Sequence, residues 1–452
     1  MDKAIMIAEA VANKGGRAFI VGGYVRDQIL GKESKDIDIE VFNLDMESLK
    51  GALSPFGEVD EQGKAFGVLR VRAFPGIDIS LPRVDNKSGE GHKGFDVSVD
   101  PFMAPVEAAM RRDFTINAMS VDILSGEMID PFGGKKDLED RILRALPKFA
   151  EDPLRAMRGI QFAARFNLSV EEKTKDIMSS MDLASLPGER IFEEFNKLLL
   201  KSEKPSIGLH LMEELGMFRF FPEIRAILSV PQDNIYHPEG DVFTHTCMVV
   251  DEASLLKNGD SEHDMKLMYG TLCHDFGKPS TTEKVDGRIK SHGHEEAGKE
   301  PTRSFLSRFH AMNTQTIEAV VFMVGAHLAP AMLPIQGASK GAYRRLARNL
   351  FENNASPALL YKIGKADHFG RTTEDAIARD YKHGDKFMET MNEINVANKP
   401  VESVVLGRHL IQFLNMKPGK AFKEILNKCR DFQDETGSTD AREILESVVG
   451  KF

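Results

Sequence analysis

At 452 residues the chain is long enough for two to four domains, and 42% hydrophobic with 28% charged residues describes an ordinary globular protein, not a disordered or fibrous one. A net charge of −10 excludes a surface that is basic throughout, though not a basic strip on one face. No stretch reaches the roughly 18 uninterrupted apolar residues of a membrane helix, and the start, Met1-Asp2-Lys3-Ala4-Ile5, lacks a signal-peptide core. Cys247, Cys273 and Cys429 are too few and scattered for a disulfide frame or a cysteine zinc site, so a reducing cytoplasm without membrane partners is expected.

Residues 2–14 space Ile5, Ala8, Val11 and Ala12 as an amphipathic helix does, and Gly15-Gly16 ends it. The apolar run Phe19-Ile20-Val21 then enters Gly22-Gly23, a short helix follows, and a second strand carries Asp36-Ile37-Asp38-Ile39-Glu40-Val41. Side chains two apart on a strand point the same way, with alpha carbons roughly 6–7 Å apart, so Asp36 and Asp38 can converge on one metal ion. Gly22 and Gly23 let the backbone pass close to phosphates, and Arg26 follows one turn on. Together these features suggest metal-assisted nucleotidyl transfer. An ordinary turn followed by a solvated edge strand has the same spacing.

Residues 45–53 read as a helix, and 66–72 with 76–81 as a hairpin around Pro75-Gly76. Asp78 on its second arm is either a third carboxylate or an outward-facing strand residue. The polar, Gly-rich stretch 84–100 reads as a mobile loop. Arg111-Arg112-Asp113 through Asn117 leads into a strand at 119–123, and Asp130-Pro131-Phe132-Gly133-Gly134 is a stop. Beyond about residue 140 the periodicity is almost wholly helical, which marks a boundary.

Pro153 after Glu151-Asp152 opens a helix with Arg155 and Arg158 one turn apart, so Asp152 on spacing alone is a helix cap. Lys135, Lys136, Arg141, Arg144, Lys148, Arg155, Arg158 and Arg165 form either a basic strip or a solvated face. A helix starts near 187, and the Pro-, Asp- and Asn-rich loop 231–240 is a second boundary. Past it, His245, His274-Asp275, His294, His327 and Asp367 recur over successive helices, a pattern able to hold a divalent metal in a bundle core. The expected division is 1–140, 141–230, 231–385 and a helical tail, 386–452.

Gly22 to Asp27 with Asp36 and Asp38 resembles the first motif of the class II tRNA nucleotidyltransferase and bacterial poly(A) polymerase family. Arg111 to Met119 resembles its second motif, Glu151 to Arg155 its nucleotide-selecting motif, and Glu189-Arg190-Ile191-Phe192-Glu193-Glu194 its neck-helix motif. His245, His274-Asp275 and Asp367 resemble an HD phosphohydrolase domain, an arrangement found in multifunctional CCA-adding proteins. The resemblance implies an α/β (α+β), polymerase-β-like head with a small mixed sheet, followed by an all-α neck, HD body and tail.

It also implies roles. Asp36 and Asp38 would hold Mg²⁺; Gly22, Gly23 and Arg26 would cradle the triphosphate. Arg111, Arg112 and Asp113 belong to the second motif, where Arg112 and Asp113 would read the ribose 2′-hydroxyl with Asn117 supporting the pocket. Asp152 and Arg155, with Arg158 beside them, would select bases. Cytosine and adenine both offer an amino donor beside a ring-nitrogen acceptor, which a carboxylate and a guanidinium satisfy; uracil and guanine present a carbonyl instead. The stretch 84–94, with Asp85 at its entry, favours complete CCA or A-only addition. His245, His274, Asp275 and Asp367 would bind Mg²⁺ or a transition metal (Ni, Mn, Co or Fe) for phosphomonoester or 2′,3′-cyclic phosphodiester hydrolysis, with His294 and His327 as candidates for a second ion. The implied partners are tRNA, CTP and ATP, in a monomer or dimer. Poly(A) addition, partial CC or A addition, and a phosphohydrolase with an RNA-binding head are the alternatives.

Overall fold

The computed structural model describes residues 1–34, 36–62, 67–87, 95–399 and 401–450. The chain forms two compact units, Met1–Leu198 with His210–Met217, and Leu199–Leu209 with Phe218–Phe452. The four expected segments are thus grouped in two. Head and neck share one core because Phe114 packs edge-on against Phe149 and against Phe162 of the helix Leu154–Phe166, with ring centroids 5.0 and 5.9 Å apart.

The first unit is built on a mixed sheet. Its strands are β1 (Arg17–Val21), β2 (Ile37–Phe42), β3 (Val59–Gln62), β4 (Val68–Val71), β5 (Ile77–Ser80), β8 (Ser120–Asp122) and β9 (Met128–Ile129), in the order β3-β4-β5-β2-β1-β8-β9. β1 and β2 run antiparallel with Val21 opposite Asp38, whereas β2 and β5 run parallel with Asp38 opposite Asp78. Odd-numbered Ile39 and Val41 bury with Ile7, Leu49 and Leu53 of the helices Asp2–Ala12 and Met46–Leu53 on one face. Phe19, Val21 and Phe42 pack with Met103 and Ala108 in a separate cluster, as strand alternation requires.

The expected hairpin around Pro75-Gly76 is present, with Leu69 opposite Ile79. The stretch 84–100 differs from the expected loop. β6 (Arg83–Lys87) and β7 (Phe95–Val99) pair in antiparallel register, Asp85 opposite Val97; the second arm, Phe95-Asp96-Val97-Ser98-Val99, alternates apolar and polar residues as a strand does. The Gly-rich segment 88–94 between them lies outside the described residues.

The second unit is almost wholly helical, with one small hairpin, Glu283–Val285 and Arg288–Lys290. Side chains cap several of its helices: Asp241, Asp260, Asn313 and Ser356 each accept an N–H from the first turn. The stretch Thr314–Ile335 has the length and hydropathy of a membrane span, with half of it buried inside the fold.

Candidate active sites

In the first unit the apolar alternation of β2 turns Asp38 and Glu40 away from the Ile39–Val41 face. Asp36 precedes the strand. Asp36 and Asp38 are exposed; Glu40 is buried. Asp78 stands level with Asp38 on the neighbouring strand and is gripped by two nitrogens of Arg70, one at 2.7 Å. Loss of water around Asp38 raises its pKa; Asp78, Asp36 and Glu40 add to this and Arg112 opposes it. A carboxylate crowded by carboxylates is relieved by a cation, so this set fits a hard divalent metal.

Glu40 lies behind that group. It accepts a hydrogen bond from Arg111 at 2.6 Å and has Arg112 at 3.7 Å. Gly22 adopts φ +71°, and a Cβ there would come within 2.9 Å of the Arg112 guanidinium, so only glycine serves at the turn. Asp113 is buried and accepts from the Phe114 N–H (2.8 Å), Asn117 (2.9 Å) and Arg158 (2.7 Å). Burial alone would raise its pKa, but Arg158, Asn117 and the Phe114 N–H hold it below the ordinary value. Arg26, expected at the triphosphate, is buried. It donates to Asn117 at 2.7 Å and to Asp27, and lies over Phe162 and Phe166.

Asp152 does two things at once. Its Oδ1 accepts the Leu154 N–H and its Oδ2 accepts from Arg190, each at 3.0 Å. Arg155 donates to the carbonyls of Lys148 and Arg111, each at 2.7 Å, and burial lowers its pKa. A cleft of about 450 Å³ brings these groups together: Gly22, Gly23, Arg26, Asp38, Arg112, Asp113, Asn117, Asp152, Arg155 and Arg158 all line it, joined by Gln161, Arg165, Arg190 and Lys197. Asp36 and Arg111 lie outside that lining. The basic strip is partly spent in ion pairs, Lys136 with Asp140 and Arg144 with Asp137 and Glu171, leaving Arg155, Arg158 and Arg165 at the cleft. Glu40 was missed from sequence, although its place two residues after Asp38 signals the same strand face.

In the second unit three histidines share one device. His274, His294 and His327 each bring Nδ1 to the carbonyl three residues back, Thr271 at 2.7 Å, Ser291 at 2.8 Å and Val324 at 2.7 Å. A carbonyl only accepts, so each Nδ1 carries a proton, which makes Nε2 the atom that a neutral ring can offer to a metal. His274 and His327 sit at helix ends, where such carbonyls have no helical partner. The three Nε2 atoms turn toward Asp275: His274 Nε2 is 3.2 Å and His294 Nε2 3.4 Å from its oxygens, and His294 and His327 Nε2 are 3.3 Å apart. Gly277 lies against the His294 carbonyl with no room for a Cβ, which lets the two segments meet.

His245 completes the group, 3.1 Å from Asp367 through Nε2 and 2.8 Å from Glu239 through Nδ1. Asp275 also pairs with Lys278 at 2.7 Å, and Asp367 with Arg371 at 3.1 Å. Burial, with His274 and His294, pushes His327 down to a pKa of about 3, which keeps it neutral. Two ligand groups overlap at Asp275, one with His245 and His274, the other with His294 and His327. His274 Nε2 and both Asp275 oxygens are buried without a well-formed hydrogen bond. Bare imidazole nitrogens facing one another around such a carboxylate fit divalent metal. Glu239, Lys278 and Arg371 escaped the sequence reading; their only signal was their closeness in sequence to His237, Asp275 and Asp367.

Residues 18–144 match the poly A polymerase head domain, and residues 167–228 match a probable RNA- and SrmB-binding site of polymerase A. A multifunctional CCA protein of Pasteurella multocida is 34% identical over 303 residues, 65% of this chain and 70% of the relative. A Bacillus stearothermophilus CCA-adding enzyme solved with CTP superposes with a TM-score of 0.66 at 20% identity, covering 96% of this chain and 93% of that one. A Thermotoga maritima CCA-adding enzyme complexed with tRNA gives 0.59 at 20% identity, covering 99% and 94%. The two structures are likenesses of fold.

Proposed function

Because the chain belongs to the family of tRNA nucleotidyltransferases and poly(A) polymerases, we propose that its first unit adds C, C and A to the 3′ end of tRNA from CTP and ATP without a nucleic-acid template. The observation that carries this is the single cleft that holds Asp38, the second-motif residues Arg112 and Asp113, and the Asp152–Arg155 pair. Asp36 and Asp38 would hold Mg²⁺, which when bound polarises the triphosphate and eases deprotonation of the RNA 3′-hydroxyl. Arg112, braced by Glu40, supplies positive charge beside Asp38. Asp113, fixed by Asn117 and Arg158, sets the floor where a ribose would lie.

Asp152 and Arg155 carry the choice of base. Each Asp152 oxygen already accepts one bond and keeps lone-pair capacity for an exocyclic amino group, while Arg155 has used only two of its five N–H donors. Their fixed positions come from the backbone and from Arg190, so the selection is made by protein. The test offers the purified protein tRNAs lacking three, one or none of the terminal nucleotides, with each nucleoside triphosphate separately. Ordered addition of C, C and A supports the reading; long A-only tails on RNAs that are not tRNA would replace it with poly(A) synthesis.

The second unit is, on this reading, a metal-dependent phosphohydrolase. His245, His274, Asp275 and Asp367 would hold one ion and His294 and His327, through Asp275, a second; the metal when bound activates water toward a phosphate ester. Lys278 and Arg371 brace the two aspartates and place positive charge beside the ligands. Metal-dependent phosphate release that His274→Ala abolishes, with nucleotide addition intact, is the expected result.

A further inference from the structure

His245 is the odd member of the histidine group. His274, His294 and His327 each anchor Nδ1 on the carbonyl three residues back. His245 instead lies within the helix Val242–Ser254, where the Val242 carbonyl is turned along the helix and accepts from the Thr246 hydroxyl at 2.8 Å. Its Nδ1 is buried and makes no aligned hydrogen bond among the described residues, yet Oε1 of Glu239 stands 2.8 Å from it. Two lone pairs that close repel, so a proton lies between them. Resting on the metal-dependent phosphohydrolase reading above, we propose that Glu239 is a positioning residue for that site: it holds the His245 proton on Nδ1 and so presents Nε2, together with Asp367, to the ion.

The ring stands between two carboxylates, with Nε2 3.1 Å from Asp367 and Nδ1 2.8 Å from Glu239. A neutral imidazole has one proton to give. On Nε2 that proton bonds Asp367 and closes both ligands to a cation. On Nδ1 it bonds Glu239 and leaves them open. When Nε2 is ligated, the Nδ1–H needs a buried acceptor, and Glu239 supplies one. An ion held by His237, Glu239 and His245 themselves would need the Nδ1 lone pair of a ring whose Nε2 already serves the first ion, and a neutral imidazole has only one free nitrogen.

Glu239 is itself held firmly. Its side chain is buried, although the neighbouring Pro238 is exposed. Oε1 also accepts from Nδ1 of His237 at 2.9 Å, and that ring packs edge-on against His245 with centroids 4.6 Å apart. Oε2 accepts the Thr372 N–H at 3.1 Å. Thr372 follows Arg371, which pairs with Asp367. One carboxylate therefore ties the segment before His245 to the segment after Asp367, the two residues that would share the ion. Gly240, at φ +126°, turns the chain between Glu239 and the helix cap Asp241, a backbone conformation that glycine adopts without strain. The turn brings the Glu239 side chain back to the ring of His245.

The full-length protein, stripped of metal, is titrated with Mn²⁺ by calorimetry, and bound metal is counted by elemental analysis. His327→Ala identifies the binding step that belongs to His294 and His327. Glu239→Ala weakens the other step by about ten- to a hundredfold, the usual cost of losing the outer partner of a ligand, and leaves the His294–His327 step near wild type. Glu239→Gln, which keeps the shape and one acceptor oxygen, loses less and serves if the alanine variant does not fold. His237→Ala, which leaves the Glu239–His245 contact in place, also loses less than Glu239→Ala. Unchanged affinity in both Glu239 variants overturns the assignment. So does equal weakening of both steps, or a His237→Ala loss as large as that of Glu239→Ala, since either marks a tie that only holds the loop. A whole ion missing from Glu239→Ala beyond these two makes Glu239 a ligand and overturns it as well. Wild-type protein that binds no Mn²⁺ removes the metal site and this role together. Two ions bound with the expected Glu239 dependence but no phosphate release removes the phosphohydrolase and keeps the positioning role.

Discussion

Nε2 of His294 lies 3.3 Å from Nε2 of His327, and each ring has already committed its Nδ1 proton to a carbonyl. Two lone pairs at that separation repel unless a cation sits between or beside them. Metal binding to the folded state therefore stabilises it, by about 2.7 kcal/mol at a hundred times Kd. We expect chelation to lower Tm by several degrees and added Mn²⁺ or Ni²⁺ to restore it. His327→Ala lowers the bound metal per chain measured by elemental analysis, and an unchanged metal content would remove the second site.

Asp38 gives a stability prediction with a definite sign. Its pKa is raised in the fold, by loss of water first and by its carboxylate neighbours after that. Ionising it is harder in the folded chain than in the unfolded one, so its charge costs stability above the unfolded carboxylate range of about 4 and costs nothing below it. Asp38→Asn should abolish nucleotide incorporation yet raise Tm at pH 7, with the gain shrinking as pH falls toward 4. A lower Tm at pH 7 would mean that the attraction of Arg112 outweighs the crowding.

Asp78 is testable against the reading that it is only Arg70's partner. An exposed ion pair of that kind contributes roughly 0–1 kcal/mol. If Asp78 instead serves the metal beside Asp38, Asp78→Ala raises the Mg²⁺ needed for half-maximal CTP incorporation by about tenfold, some 1.4 kcal/mol. Arg70→Ala leaves the Mg²⁺ requirement near wild type. The two variants behaving alike would return Asp78 to a structural role.

Asp152→Ala separates base selection from helix capping. Loss of a cap costs about 1 kcal/mol of stability. Loss of a base-reading carboxylate lowers the preference for CTP over UTP by about ten- to a hundredfold in competition assays, because the wrong carbonyl no longer meets a negative charge. A variant that loses stability but keeps its preference would leave only the cap.

Asp113 anchors the buried network of Arg158 and Asn117, which also receives Arg26. Removing it leaves the half-buried Arg158 guanidinium and the buried Asn117 amide without their acceptor, so Asp113→Ala should cost about 1–3 kcal/mol in denaturant unfolding. Its pKa is lowered despite burial, so its contribution is present above the unfolded value of about 3.9 and is lost as pH falls through the folded one. The wild type and the variant should therefore converge in stability only below about pH 4.

Much of this was legible in local patterns. The helices Asp2–Ala12, Met46–Leu53 and Leu154–Phe166, and the hairpin carrying Asp78, follow from apolar spacing and turn residues. The two ends of the stretch 84–100 were misread because its polar composition hid the alternation of Phe95–Val99 and gave no sign of the arm, Arg83–Lys87, that pairs with it. The family resemblance implied a place for Arg26 at the triphosphate, and Arg26 does line the cleft. Its burial over Phe162 and Phe166 depends on a helix far away in sequence.

The amino-acid sequence by itself determined that Asp38 and Glu40 share one side of β2, since a period of two is a property of the extended chain and needs no partner. It also determined which residue types were available for each site. Only the tertiary structure decided that Asp78 stands level with Asp38, because that depends on β5 lying parallel beside β2 in a particular register. Only it decided that Asp152 meets Arg190, and that His294 and His327, 33 residues apart, close on Asp275. Side-chain direction is written into successive backbone bonds. The distance between segments is set by which apolar faces pack together, and no local pattern records it.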